Sequence, residues 1–175
     1  MDWKWTKVDE LEAAGKYKAA LDIMTAMWKE EPLNLKVFLR LGFLSWYVIA
    51  EWGVLGDTNL EEAHFEELER LLKELTAFGF TEFNEEAEFL WLFGYMISLF
   101  PYLFDTEEEL GNRMINAAHN LKPEDPVIHL IYLKSFTWEI ATPEQFNVQK
   151  AAGRVLAAAF EGNGEIQRYF KEVLR

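Results

Sequence analysis

The chain has no cysteine. That excludes disulfides, thiolate nucleophiles and every metal site built on sulfur, and it fits a reducing compartment. Basic residues are scarce: 17 Lys and Arg stand against 30 Asp and Glu, a formal charge of −13. Such a field repels nucleic acid and anionic lipid and attracts basic proteins, so neither nucleic acid nor membrane is expected as a partner. Histidine is limited to three residues scattered on different segments. No Gly-x-Ser-x-Gly elbow, no phosphate-cradling glycine loop and no His-Glu-x-x-His occurs, so the chain is not expected to be an enzyme. No cofactor is expected, and no small-molecule ligand. No run alternates polar and apolar residues between turn signals, which leaves no expected strand. The longest uncharged run, residues 89–104, is shorter than the roughly 20 residues a membrane span needs, and its flanks are acidic. It reads as a helix buried on all sides. Met1-Asp2-Trp3-Lys4-Trp5 has no apolar run, so no secretory signal is expected and a cytoplasmic location is.

What is present is apolar and aromatic. Half of the 175 residues are hydrophobic and 15% are aromatic, including seven Trp and fourteen Phe. A single domain of this length buries about 70% of its unfolded surface and needs no staple. Proline and glycine punctuate the chain into helices. Residues 5–14 and 16–30 form the first pair. Residues 34–52 follow, ended by Gly53 and Gly56, with Asp57-Thr58-Asn59 as capping residues for the next helix. Residues 60–77 are amphipathic: Leu68, Leu71, Leu72 and Leu75 form the buried stripe, and Gly79 ends the helix. Asn84 or Thr81 caps a helix from Glu85 to Phe100. Asp105 or Thr106 caps residues 107–121. Residues 127–140 form another helix, and Thr142-Pro143 opens one running to about Phe160. Gly162-Asn163-Gly164 breaks it before a capping helix over 165–174. The expected fold is all-α: one domain over 1–175, about eight helices in stacked αα-hairpins.

Residues 15–34 carry a more specific pattern. Gly15 and Tyr17 open it, Ala20 and Met24 stand four apart, and Pro32 closes it, followed by Phe38, Leu41 and Gly42. Ala20 lets two backbones approach, Met24 fills the gap, and Pro32 turns the chain. This resembles the second helix of a tetratricopeptide hairpin running into the next. The match is clearest over residues 10–46. Leu90, Phe93 and Gly94 repeat the later part, but Gly42 and Gly94 stand further apart than the family period of about 34 residues. The resemblance implies a divergent right-handed solenoid and a protein-binding role. Ser45 replaces the family's usual tyrosine, and its peptide-clamping basic residues are not recognisable.

Acidic side chains are the strongest functional candidates. Glu82, Glu85, Glu86 and Glu88, and again Glu107, Glu108 and Glu109, crowd expected helix starts, where the helix dipole favours negative charge. Glu61, Glu62, Glu66, Glu67 and Glu69 crowd the body of a helix with few basic residues at i+4. Glu62, Glu66 and Glu69, with Glu85 and Glu86, are therefore the expected partner-binding residues. Trp52, Trp3 and Trp5 are the candidate exposed anchors, with packing into the core as the alternative for each. Glu61-x-x-His64 has the spacing of a di-iron ligand pair, but no second copy completes a centre, and no metal is expected. In size, charge and economy the chain is similar to bacterial immunity proteins that cover the basic cleft of a toxin, such as a nuclease. The expected function is neutralisation of a basic toxin domain. The alternative is a tetratricopeptide-like adaptor or chaperone cofactor holding a peptide in its groove.

Overall fold

The computed structural model describes residues 1–136, 153 and 155–174. Its order is α1 (Thr6–Ala13), α2 (Tyr17–Glu30), α3 (Leu35–Ala50), α4 (Glu62–Glu82), α5 (Ala87–Leu99), a 3₁₀ turn (Pro101–Phe104), α6 (Glu108–Leu121), α7 (Pro126–Phe136) and α8 (Glu165–Val173). The fold is all-α, and among the described residues there is no strand. The helical segment before α8 is described only at 153 and over 155–159. Its expected start at Thr142-Pro143 lies outside the described residues.

Helix α3 is the axis of the core. Its mostly apolar sequence leaves almost no wet face, and Phe38, Leu39, Leu41, Leu44 and Val48 are wholly buried. Phe38 is a hub: its ring lies 5.9 Å from Phe78 of α4, 4.9 Å from Phe83, and 5.9 and 5.2 Å from Phe89 and Phe93 of α5. Further along, Trp46 meets Phe100 at 5.8 Å. Contacts that advance together along both helices mean α3 and α5 run in the same direction. Such ring pairs add about 0.5–1.5 kcal/mol each beyond the area they bury. Ala20 and Met24 are fully buried between α2 and its neighbours, as their spacing implies. The run 89–104 is buried over most of α5 but surfaces at Leu99 and Tyr102, so it is not enclosed on all sides, and among the described residues no helix is long and apolar enough to cross a membrane.

Three local expectations are corrected. Helix α4 does not stop at Gly79 but runs through it to Glu82. Gly79 is instead a crossing point: a Cβ there would lie 2.3 Å from Phe89 Cε2 and 2.8 Å from Phe38 Cζ. Asp57 does not cap α4. Its carboxylate accepts hydrogen bonds from the backbone N–H of Lys18 (3.0 Å) and of Asn59 (3.0 Å), tying the α3–α4 loop to the start of α2. Neither Thr81 nor Asn84 caps α5. They bond back to the carbonyls of Ala77 and Phe80, and Glu86 is the N-cap.

Helices α5 and α6 cross closely through glycine. A Cβ on Gly111 would stand 2.5 Å from Ser98 N and 2.6 Å from Gly94 O, so backbone meets backbone with no side chain between.

Helix α8 folds back across α1, α3 and α5. Ile166, Phe170 and Leu174 form its buried stripe, and Phe170 lies 5.2 Å from Trp91 and 5.8 Å from Phe43. Beneath its start is a charged cluster. Arg40 of α3 is 1% exposed and donates from Nη2 to Asp9 Oδ1 (2.8 Å) and Glu12 Oε2 (2.6 Å) of α1, and from Nη1 to Gln167 Oε1 (3.1 Å) of α8. Gln167 Nε2 donates to Trp3 O and Asp9 Oδ2, each at 3.1 Å. Glu165 N–H donates to Glu12 Oε2 at 2.6 Å, and Tyr17 Oη donates to Glu165 Oε1 at 2.7 Å. Arg168 pairs with Glu165 at the rim. Burial pushes the Glu12 carboxyl up, and the attraction of Arg40 opposes this without cancelling it.

Two outcomes follow from these contacts. Gly111→Ala drives a methyl into backbone that cannot step aside, and urea unfolding should show a loss of about 1–3 kcal/mol. Glu12 has a folded-state pKa above its unfolded value, so its contribution is full at low pH and is lost as pH rises through the folded value. Removing that titration in Glu12→Gln should flatten the profile: between about pH 5 and about pH 8 the variant should lose less stability than the wild type, measured by urea unfolding at both.

Candidate functional site

Helix α4 buries one stripe against α3 and α5, meets α2 at Trp28 and the 3₁₀ turn at Asp105, and carries charged residues on the flanks to either side. Three- and four-residue steps place Glu62, Glu66, Glu69 and Lys73 on one flank. His64, Glu67, Leu71 and Glu74 fall on the other.

The second flank faces α2 across a groove of about 670 Å³. Leu21, Ala26, Trp28, Leu68 and Leu71 supply its apolar lining, and Lys18, Asp22, Lys29, Glu67, Arg70 and Glu74 its charges. Trp28 stands edge-to-face on Phe78 at 5.8 Å and brings the two helices together at one end. The Asp57 loop and Leu60 bound the other. Lys18 pairs with Asp22 at 2.7 Å. The charges in the groove balance, so it is the neutral, apolar recess of an acidic molecule.

The first flank carries the expected partner-binding stripe. Glu62 and Glu66 are exposed and Glu69 is half-buried. Among the described residues none of the three forms an ion pair. Lys73, one turn beyond Glu69, bonds Asp105 at 2.8 Å, which holds its ammonium above the usual lysine range and ties this flank to the 3₁₀ turn. Glu85 and Glu86 are also exposed, but they follow the opposite end of α4. At 1.5 Å per residue they stand about 30 Å from Glu62. The five glutamates therefore form two separate patches. Beside the second, Lys122 bonds Glu88 at 2.7 Å; burial raises the Glu88 carboxyl, and that partner more than offsets it, leaving the carboxyl lowered.

The tryptophans are packed. Trp3 is 3% exposed, stacked at 6.3 Å on Phe160 and edge-to-face at 5.9 Å on Trp91, so it is a core residue and no anchor. Trp5 is half-buried with the Lys36 ammonium 5.2 Å over its ring. Trp52 is half-buried, its ring 5.2 Å from Phe65 at the start of α4, next to the acidic flank.

Glu61-x-x-His64 has a structural use. Glu61 is the N-cap of α4, and its N–H donates to His64 Nδ1 at 2.9 Å, completing a capping box. Among the described residues no group of three or more His, Asp or Glu could hold a metal ion. The other two histidines meet: His119 Nε2 lies 2.9 Å from His129 Nδ1, and His119 stacks on Tyr132 at 4.2 Å. Burial, then the neighbouring imidazole, lowers the His119 pKa. The signal in the sequence was symmetry: both residues lie five positions from Glu124, in the turn that joins α6 to α7.

Comparison of the chain with protein-family models, with curated proteins and with solved structures finds no match.

Because His64 caps α4, His64→Ala should cost about 0.5–2 kcal/mol, the range for losing a helix cap. Thermal unfolding measures this, and elemental analysis should find no iron or manganese in either protein.

Proposed function

We propose that the chain is a divergent tetratricopeptide-like stack that works as a protein-binding module, an immunity-type inhibitor that neutralises a basic toxin domain in a bacterial cytoplasm. The observation that carries this reading is the flank of α4. Glu62 and Glu66 are exposed, with Glu69 half-buried beside them near Lys73, and among the described residues none of the three forms a salt bridge. Like charges at this spacing disfavour the helix, and of the three only Glu62, in the first turn, is favoured by the helix dipole. A basic cleft would supply the missing counter-charge, and covering it would exclude an anionic substrate. Helix α8 supports the same reading, because it occupies the face of α1, α3 and α5 and leaves the α4 side open.

A peptide-holding adaptor is the second reading, and the groove between α2 and α4 favours it. The groove is large enough for a few side chains, and Trp28, whose buried indole N–H has no hydrogen-bond partner, contributes to its lining.

Affinity capture from the host followed by stopped-flow binding separates the two. With a basic partner, association should slow steeply between low and physiological salt, where charges are screened over about 8 Å, while dissociation changes little. Replacing Glu62, Glu66 and Glu69 together by Gln should slow association several-fold at low salt without altering thermal stability. A captured partner that is itself acidic, or an unchanged rate in the triple variant, would overturn the inhibitor reading.

A further inference from the structure

The uncharged run that builds α5 does not end inside the core. Ile97, Leu103 and Phe104 are buried, but Leu99 is 41% and Tyr102 67% exposed. Phe100 lies half-buried between them, its ring 6.0 Å from Tyr102 and 5.8 Å from Trp46 of α3. Three large apolar side chains thus form a corner whose underside is fixed by the core. The turn itself is fastened: Leu103 and Phe104 pack inward, and Asp105, in the left-handed region at φ 50°, bonds Lys73 of α4.

The charges flanking this corner are mostly acidic. Glu69 and Glu66 lie one and two turns along α4 from Lys73, and Glu62 one turn further. On the other side Glu107, Glu108 and Glu109 follow the turn directly, all exposed and without an ion pair among the described residues. The nearby cation of α4, Lys73, is already engaged by Asp105. A second copy of this −13 chain would be repelled here. The charge complement is a cationic surface with an apolar projection.

We propose that Leu99, Phe100 and Tyr102 are the docking corner for a basic protein segment that presents an apolar side chain between lysines or arginines. Glu62, Glu66 and Glu69 on one side and Glu107–Glu109 on the other receive the flanking cations. This rests on the basic-partner reading above and adds where the partner is held and by what. Tyr102 suits the role: a tyrosine brings large contact area with few rotatable bonds, and its ring is already braced by Phe100.

The test uses the full chain and two synthetic twelve-residue peptides of equal charge. Both are lysine- and arginine-rich; one carries a central Trp-Leu pair and the other Ser-Ser. Calorimetric titration at physiological salt should show the Trp-Leu peptide binding at least about tenfold tighter. Its amide shift changes should centre on residues 62–69 and 99–109. Tyr102→Ser should remove most of that advantage and Tyr102→Phe should keep it, with thermal unfolding unchanged in both. Equal affinity of the two peptides for the wild type, an unaffected Tyr102→Ser, or shifts centred on the α2–α4 groove would overturn the docking corner while leaving the basic-partner reading standing. Failure of both peptides to bind, even at low salt, would sink both.

Discussion

A single guanidinium holds the two ends of this chain together. Arg40 lies in the middle of the most buried helix and is bonded to Asp9 and Glu12 of the first helix and to Gln167 of the last. Such a cluster adds little net stability against an apolar core of equal volume, but removing one member strands the others and costs about 3–5 kcal/mol. Its value is geometric. An apolar stripe such as Ile166, Phe170 and Leu174 can slide or rotate on an aromatic surface at small cost. A planar fork that must meet two carboxylates and an amide cannot. Register of α8 on α1 and α3 follows, and with it the closing of the face that α1, α3 and α5 would otherwise present.

The same cluster divides the acidic residues into two populations. Asp9, Glu12 and Glu165 are inside and hydrogen-bonded, and Asp57, Glu61, Glu86 and Glu107 serve loops and helix starts. These acids have structural uses. Glu62 lies in the first turn of α4, and Glu108 and Glu109 in the first turn of α6, where the helix dipole favours them; Glu66 and Glu69 in the body of α4 serve neither a helix start nor the buried cluster. Exposed pairs would be worth only about 0–1 kcal/mol, so a chain selected for stability alone gains little by arranging them and loses little by omitting them.

Periodicity made the helices legible, because burial of an apolar stripe is a local pattern. Ala20, Met24 and Pro32 announced the α2–α3 hairpin, and the run 89–104 announced an interior helix. Signals that depend on a third element were not legible. Gly79 looks like a helix end in one dimension and is a helix crossing in three, because the rings pressing on it come from positions 38 and 89. Asp57 stands where a cap for the next helix would stand, yet it serves the N–H of Lys18 on an earlier one. Trp3 precedes the first helix and has no periodic company, so only the return of the chain to Phe160 and Trp91 shows it as core. Arg40 is masked for a related reason: within an apolar helix a lone arginine carries no mark of the three distant groups it binds. The acidic stripe of α4 was readable from spacing alone, but its separation from Glu85 and Glu86 needed the uninterrupted length of α4.

Length also separates the acidic residues at the start of α4 from those that follow its end. Its 21 residues span about 30 Å, several times the roughly 8 Å over which exposed charges are felt at physiological salt. Two acidic patches at its ends therefore act as separate fields, not as one. Among the described residues only the first patch approaches an exposed apolar corner: Glu69 lies one turn from Lys73, which ties α4 to the 3₁₀ turn. Beside Glu85 and Glu86 the neighbouring acid Glu88 is already bound to Lys122. Charge alone speeds encounter but releases a partner readily, because each rim contact is weak and screened. Apolar contact slows release but gives no long-range guidance. A tight, fast complex needs both within one footprint, and among the described residues the junction of α4 with the turn after α5 brings a braced aromatic corner and unpaired carboxylates into that footprint.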